Sequence, residues 1–221
     1  MAWRCSAASN TELVANLHKH GLCKTESVLE ALRATDRQHY APSSAYEDAP
    51  QYIGHGATIS APHMHAWALE LLSSVLDRPR AAVLDVGCGS GYLTACLHRM
   101  VAPRGGTTVA IDYLPALVEM TRENLHKDDA ALADAIKLHV GDGWKGSLQD
   151  GPFDAIHVGA AADGLPQALV DQLRPGGRMI IPVGPQDGDQ HLFQYDKDTE
   201  GKLTSKIITG VRYVPLVRAH S

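Results

Sequence analysis

The sequence predicts a doubly wound, mostly parallel α/β sheet with a helical extension in front and an antiparallel β-addition behind. Three observations carry that prediction. From residue 80 short apolar runs alternate with helical runs, the pattern of strands buried on both faces of a parallel sheet. Residues 1–79 show helical spacing instead, and residues 185–221 read as strand, turn and strand. We therefore expect one domain over 1–221: helices and a loop at 1–79, a core at 80–184 and closing strands at 185–221.

The elements follow in order. SNTE (9–12) is a capping box: Ser9 caps the helix and Glu12 reaches back. Leu13, Val14 and Leu17 share a face, and Gly21 ends the run. A second helix fits 25–35, with Val28, Leu29 and Leu32 apolar. Residues 36–62, rich in Pro, Gly, Ser and Tyr, read as an ordered loop region. A third helix, 63–77, carries Leu69, Leu72 and Leu76. AAVLDV (81–86), TTVAID (107–112), IKLHV (136–140) and DAIHVG (154–159) are strands, with helices at 90–102, 114–126 and 165–173. RPGG (174–177) is expected to turn the chain into RMIIPVG (178–184). HLFQYD (191–196) and KIITGVRYVPL (206–216) form a closing hairpin around DKDTEGK.

Composition narrows the function. A net charge of −5, with Lys and Arg scattered singly, disfavours a nucleic-acid binder. Four cysteines without a CxxC pair are expected to stay reduced, as in the cytosol. MAWRCSAASN has no apolar core of signal-peptide length, and no run approaches the ~18 residues of a membrane span. A soluble cytosolic protein is expected, and a monomer, since no exposed apolar stripe stands out.

LDVGCGSGYL (84–93) is the strongest local feature. A strand ends in Gly87, Gly89 and Gly91, and side-chain-free residues let the backbone approach a ligand at the strand's carboxyl edge. Asp112 ends the next strand, where an acid that binds ribose hydroxyls sits. The spacing is GxGxG rather than the GxGxxG of dinucleotide readers, whose third glycine position is Tyr92 here. Asp85, two residues before the first glycine, suits a cationic group, and a further acid, Asp142, follows the IKLHV strand. The set favours S-adenosylmethionine over NAD.

With PFDAIHVGAAA (152–162), LRPGGRMIIPVG (173–184), ATISAPHMHA (57–66) and GVRYVPL (210–216), the chain closely resembles the protein-L-isoaspartate (D-aspartate) O-methyltransferases. The resemblance runs from about residue 9 to residue 216. Its glycine loop and RPGG are common to many methyltransferases; ATISAPHMHA and GVRYVPL are narrower signatures. The chain ends at VRAHS soon after VPL, so no function of a longer tail is carried over. The resemblance implies a Rossmann-like S-adenosylmethionine-dependent fold. It also implies Ile59, His65, Asp85, Gly87, Gly89, Ser90, Gly91, Asp112, Asp142 and Gly143 around the cofactor. Ala57, Val214, Pro215 and Leu216 would form the peptide cleft, and isoaspartyl proteins and peptides would be the substrates.

The chemistry of ATISAPHMHA agrees. A substrate carboxylate is already ionised at neutral pH, so no general base is needed, and proximity carries much of the rate. Thr58 and Ser60, spaced i, i+2 in an extended segment, point to one side and can orient the carboxylate without the electron withdrawal of an arginine clamp. A hydrolase would show GxSxG around its serine, which is absent. His63 and His65 lack further ligands at metal spacing, so no metal is expected. His63 is read as a helix-entry residue. His18, His20, Met64 and Trp67 are read as surface or packing residues, HKDD (126–129) as a solvated helix end and GPQDGDQ (184–190) as a turn. Two rivals stand beside carboxyl methylation. One is methylation of another carboxylate or small molecule, a nucleobase being disfavoured by the missing DPPY motif. The other is a non-catalytic S-adenosylmethionine-binding module.

Overall fold

The computed structural model describes residues 5–218. Helix α1 (Asn10–Lys19) is capped by Ser9, whose Oγ accepts the Glu12 N–H; the Glu12 carboxylate reaches back as expected but one residue beyond the cap, accepting the Ala8 N–H. Helix α2 (Glu26–Ala34) has no side-chain cap of its own. Glu70 from α3 (Pro62–Leu76) supplies it across the fold, accepting the Lys24 and Thr25 N–H groups and the Thr25 hydroxyl.

The stretch 36–62 is more regular than a loop. It holds a short 3-10 turn at Arg37–His39 and an antiparallel hairpin of β1 (Gln51–Gly54) and β2 (Ala57–Ile59). Gly54, His55 and Gly56 take φ of 95°, 53° and 74° in succession, and two glycines make that left-handed tip accessible. Strands this short give too little periodicity to be seen in sequence.

Seven strands form the main sheet: β3 (Ala82–Val86), β4 (Thr107–Asp112), β5 (Lys137–Val140), β6 (Phe153–Val158), β7 (Leu173–Val183), β8 (Gln190–Lys197) and β9 (Leu203–Val211). Their order is β5-β4-β3-β6-β7-β8-β9, with β3 to β7 parallel and β7, β8 and β9 antiparallel. Helices α4 (Tyr92–Val101), α5 (Pro115–Asp128), α6 (Ala130–Ala135) and α7 (Gln167–Gln172) connect them. Alternate strand residues serve opposite faces. Val83, Ala155 and Ile180 join the core of the N-terminal helices and α4, while Leu84, Val86, Ile156 and Met179 join the core beneath α7. The chain leaves β3 toward β4 on one side and later returns to place β6 on the other. This switch point opens a crevice at the carboxyl ends of β3 and β6.

Two expectations are corrected. RPGG is not a turn before a strand but a bulge inside β7: Leu173 lies opposite Phe153 and Arg178 opposite Ala155, with Gly176 at φ 79°. A Cβ at Gly177 would stand 2.9 Å from the carbonyls of Arg174 and Asp154, so the backbone fills that space itself. HKDD is not simply solvated. The buried Asp128 carboxylate accepts the Tyr40 hydroxyl and Arg99 Nη1, each at 2.7 Å, and ties α5 to α4 and the N-terminal segment. The closing hairpin forms as expected, but β9 ends at Val211. VPL instead runs beside Ala161 as a parallel bridge at Pro215.

Candidate active site

The glycine loop follows from the strand that feeds it. Gly87, Gly89 and Gly91 take φ of 79°, 55° and 88°, and the Gly87 and Cys88 N–H groups donate to the Ile111 carbonyl. A Cβ at Gly91 would sit 2.9 Å from Thr121 Cγ2, so this glycine serves the packing of α4 on α5 and does not line the cleft. Asp112 stands at the end of β4, where its carboxylate accepts the N–H groups of Gly89 (3.1 Å) and Leu114 (3.3 Å). Burial raises its pKa above the usual carboxylate range in spite of those donors.

Two adjoining chambers occupy the crevice. The larger, about 820 Å3 with its open mouth included, lies between His55–Thr58, Gly87, Gly89, Asp112, Gly143 and the segment 214–217. The smaller, about 360 Å3, gathers Thr58, Ile59, Ser60, His65, Asp85, Ser90 and His157. Thr58, Gly87, Gly89 and Gly159 face both. The two hydroxyls singled out in the sequence therefore share one chamber, beside the glycine loop. Asp142 lines neither chamber. It accepts the Trp144 N–H at 3.0 Å, and the cleft contact falls to its neighbour Gly143, where a Cβ would stand 2.6 Å from Val86 Cγ1.

The loop 57–66 is held from beneath by Arg37, which is wholly buried. Its Nη2 donates to the Ser60 carbonyl at 2.6 Å, its Nη1 to His65 Nδ1 at 3.1 Å, and its guanidinium lies 5.0 Å from the Tyr92 ring centroid. No carboxylate pairs with it among the described residues. Burial pushes its pKa down to about 10, which still leaves it cationic at neutral pH. Because a guanidinium only donates, His65 Nδ1 must accept, and the ring proton sits on Nε2. Burial first, then the Arg37 charge, drives the His65 pKa well below its ordinary value, so this imidazole is neutral. His63 is the helix-entry residue expected: its N–H and Nδ1 both meet Asp48 Oδ1, at 3.0 and 2.7 Å. Although burial opposes it, those bonds hold the Asp48 pKa below the usual range.

The C-terminal segment closes the cleft as a wall. Ala161 N–H donates to the Val214 carbonyl, and Leu216 N–H donates to the Ala161 carbonyl. Trp144 Nε1 donates to the Leu216 carbonyl at 2.8 Å, and Arg218 stacks 3.8 Å from the Trp144 centroid. Gln190, inside the segment read as a simple turn, is buried and braces the Tyr213 backbone. Burial raises the Tyr213 phenol's pKa, and the Ser60 side chain pulls it the other way.

A model of the protein-L-isoaspartate(D-aspartate) O-methyltransferase family matches residues 8–221. The chain belongs to this family. It is 47% identical to the protein-L-isoaspartate O-methyltransferase of Caenorhabditis elegans, over 98% of this chain and 96% of that protein. It is 45% identical to protein-L-isoaspartate O-methyltransferase 1 of Arabidopsis thaliana, over 96% and 92%. A solved structure of a putative protein-L-isoaspartate O-methyltransferase from Plasmodium falciparum, in complex with S-adenosyl-L-homocysteine, superposes with a TM-score of 0.87 at 33% identity, covering 96% of this chain and 99% of that one.

Within this O-methyltransferase fold, several residues that shape the cleft carried no sequence signal. Arg37 sits in an unremarkable TDRQHY, Trp144 follows the glycine of VGDG, and His157 alternates with apolar neighbours in β6. A charged residue far from any motif cannot be recognised as buried until its partners are known. Among the described residues no three His, Cys, Asp or Glu side chains are grouped so as to hold a metal ion, and no helix is long and apolar enough to cross a membrane.

Proposed function

We propose that the chain transfers a methyl group from S-adenosylmethionine to the free α-carboxylate of L-isoaspartyl residues in damaged proteins and peptides. The observation that carries this reading is the shared chamber of Thr58 and Ser60 against the glycine loop. The cleft fits the cofactor: left-handed Gly87 and Gly89 expose backbone, Gly143 leaves no room for a side chain, and Asp112 lines the larger chamber. Asp112 would take the ribose hydroxyls, with Gly87, Gly89 and Gly143 along the nucleoside. Ile59, His65, Asp85 and Ser90, which line the smaller chamber, would hold the amino-acid end. When bound, the cofactor supplies a methyl already activated by the positive sulfonium.

The rest of the work falls to the protein. Thr58 and Ser60 orient the acceptor carboxylate by donating neutral hydroxyl hydrogen bonds, which leave its oxygen nucleophilic. Arg37 cannot clamp that carboxylate, because it is wholly buried beneath the loop and turns its two Nη atoms to Ser60's carbonyl and to His65. Ala57 and the wall Val214–Pro215–Leu216 seat the extended peptide through backbone groups, so many flanking sequences are accepted. The ester then closes spontaneously to a succinimide, which reopens in part to a normal aspartyl bond. Cytosolic residence as a monomer accompanies this reading; the four buried free cysteines suit a reducing compartment.

The test uses two synthetic peptides that differ only in one aspartyl or isoaspartyl linkage, each incubated with methyl-labelled S-adenosylmethionine. Base-labile label on the isoaspartyl peptide alone is the expected result. Label on neither peptide, with cofactor binding confirmed by calorimetry, sinks the proposal and leaves another acceptor or the binding-module reading.

A further inference from the structure

His157 has no part in the reaction as described, yet it lies at the switch point. It is the direct neighbour of Asp85 across the β3–β6 pairing, is buried, and borders the smaller chamber with Ser60 and His65. Its Nδ1 is 2.8 Å from Asp85 Oδ1, and Thr94 Oγ1 donates to Asp85 Oδ2 at 2.6 Å. Each Asp85 oxygen therefore already accepts one bond from the protein. A carboxylate only accepts, so Nδ1 of a neutral His157 carries the hydrogen and Nε2 presents a lone pair. Nε2 has no protein hydrogen bond among the described residues, and it is not among the polar atoms sealed off without a partner.

The contrast with His65 is chemical. Arg37 forces that ring into the opposite tautomer, with Nε2–H as a donor. The smaller chamber thus offers an N–H from His65, and from His157 a lone pair backed by the Asp85 charge. A zwitterion, with a carboxylate and an ammonium on one carbon, matches that pairing. Glycine at 159 keeps the approach open: a Cβ there would press on the Gly87 carbonyl at 2.9 Å and lie 3.6 Å from His157 Cε1.

We infer that His157, oriented by Asp85, accepts a hydrogen bond from the ammonium of the cofactor's amino-acid end, a contact the sequence assigned to Asp85 alone. The inference rests on the S-adenosylmethionine reading given above. Calorimetry with two ligands tests it. S-adenosylhomocysteine carries the ammonium and carboxylate; 5′-methylthioadenosine keeps the nucleoside and thioether and lacks both. His157→Asn retains an amide N–H facing Asp85 and removes the distal ring. It should weaken S-adenosylhomocysteine roughly tenfold or more, the loss of one charge-assisted hydrogen bond, and leave 5′-methylthioadenosine unchanged. Equal weakening of both ligands, or of neither, overturns the assignment. Nitrogen-15 NMR of wild-type His157 gives an answer that does not depend on the variant folding. Nε2 should have the shift of an unprotonated nitrogen and move with S-adenosylhomocysteine but not with 5′-methylthioadenosine; an unmoved Nε2 also overturns it. Failure of wild type to bind either ligand would instead defeat the cofactor reading itself.

Discussion

One half of the cleft comes from a single continuous stretch, β3 through the start of α5, where the glycine loop and Asp112 bond to each other within about thirty residues. The facing half is assembled from distant pieces: Arg37, the residues Ala57–Ser60 and the wall 213–218. The first half is local backbone geometry, which glycines and one acid specify. The second depends on a buried cation that holds two segments of the chain together, so its precision is set by tertiary packing. The lesson is that cofactor affinity and acceptor positioning should fail separately.

Four changes put that separation to the test, from the largest effect downward. Arg37→Leu removes two hydrogen bonds from a buried charge and strands the Ser60 carbonyl and His65 Nδ1. A loss of stability on the order of 3 kcal/mol is expected, read from the urea midpoint, along with near-complete loss of transfer. A stable, active Arg37→Leu protein would show that the acceptor half needs no such anchor. Ser60→Ala and Asp112→Asn should then split cleanly. The serine variant should lose roughly tenfold to a hundredfold in transfer with cofactor affinity near wild type; the asparagine variant should lose roughly tenfold in cofactor affinity and recover most transfer at saturation. If both variants lose affinity alike, the halves are not independent. The smallest effect belongs to Trp144→Phe, which keeps a ring under Arg218 but deletes the bond to the Leu216 carbonyl, about 1 kcal/mol. It should raise the peptide KM severalfold and leave kcat nearly unchanged. A fall in kcat alone would mean that the wall acts on chemistry rather than seating.

The same division explains what could be read in advance. The alternation beyond residue 80, the Ser9 cap and the glycine loop are properties of neighbouring residues, and each formed as expected. RPGG misled because a bulge and a turn use the same residue types, and only the β6 partner decides between them. HKDD misled because charge in sequence resembles exposure, while Asp128 had partners 29 and 88 residues away. Asp142, expected at the cofactor, accepts the Trp144 N–H through one carboxylate oxygen beside the cleft residue Gly143, a link that the folded chain alone reveals.

By itself, the sequence determined the parallel sheet, the cofactor class and the pair of hydroxyls, because periodicity, glycine freedom and side-chain chemistry act over a few residues. Only the tertiary structure decided that Arg37 holds the loop 57–65, that Trp144 pins the wall, and that His65 and His157 turn Nδ1 to opposite partners, a guanidinium and a carboxylate. A hydrogen bond's direction depends on its partner, and these partners meet only when the chain folds.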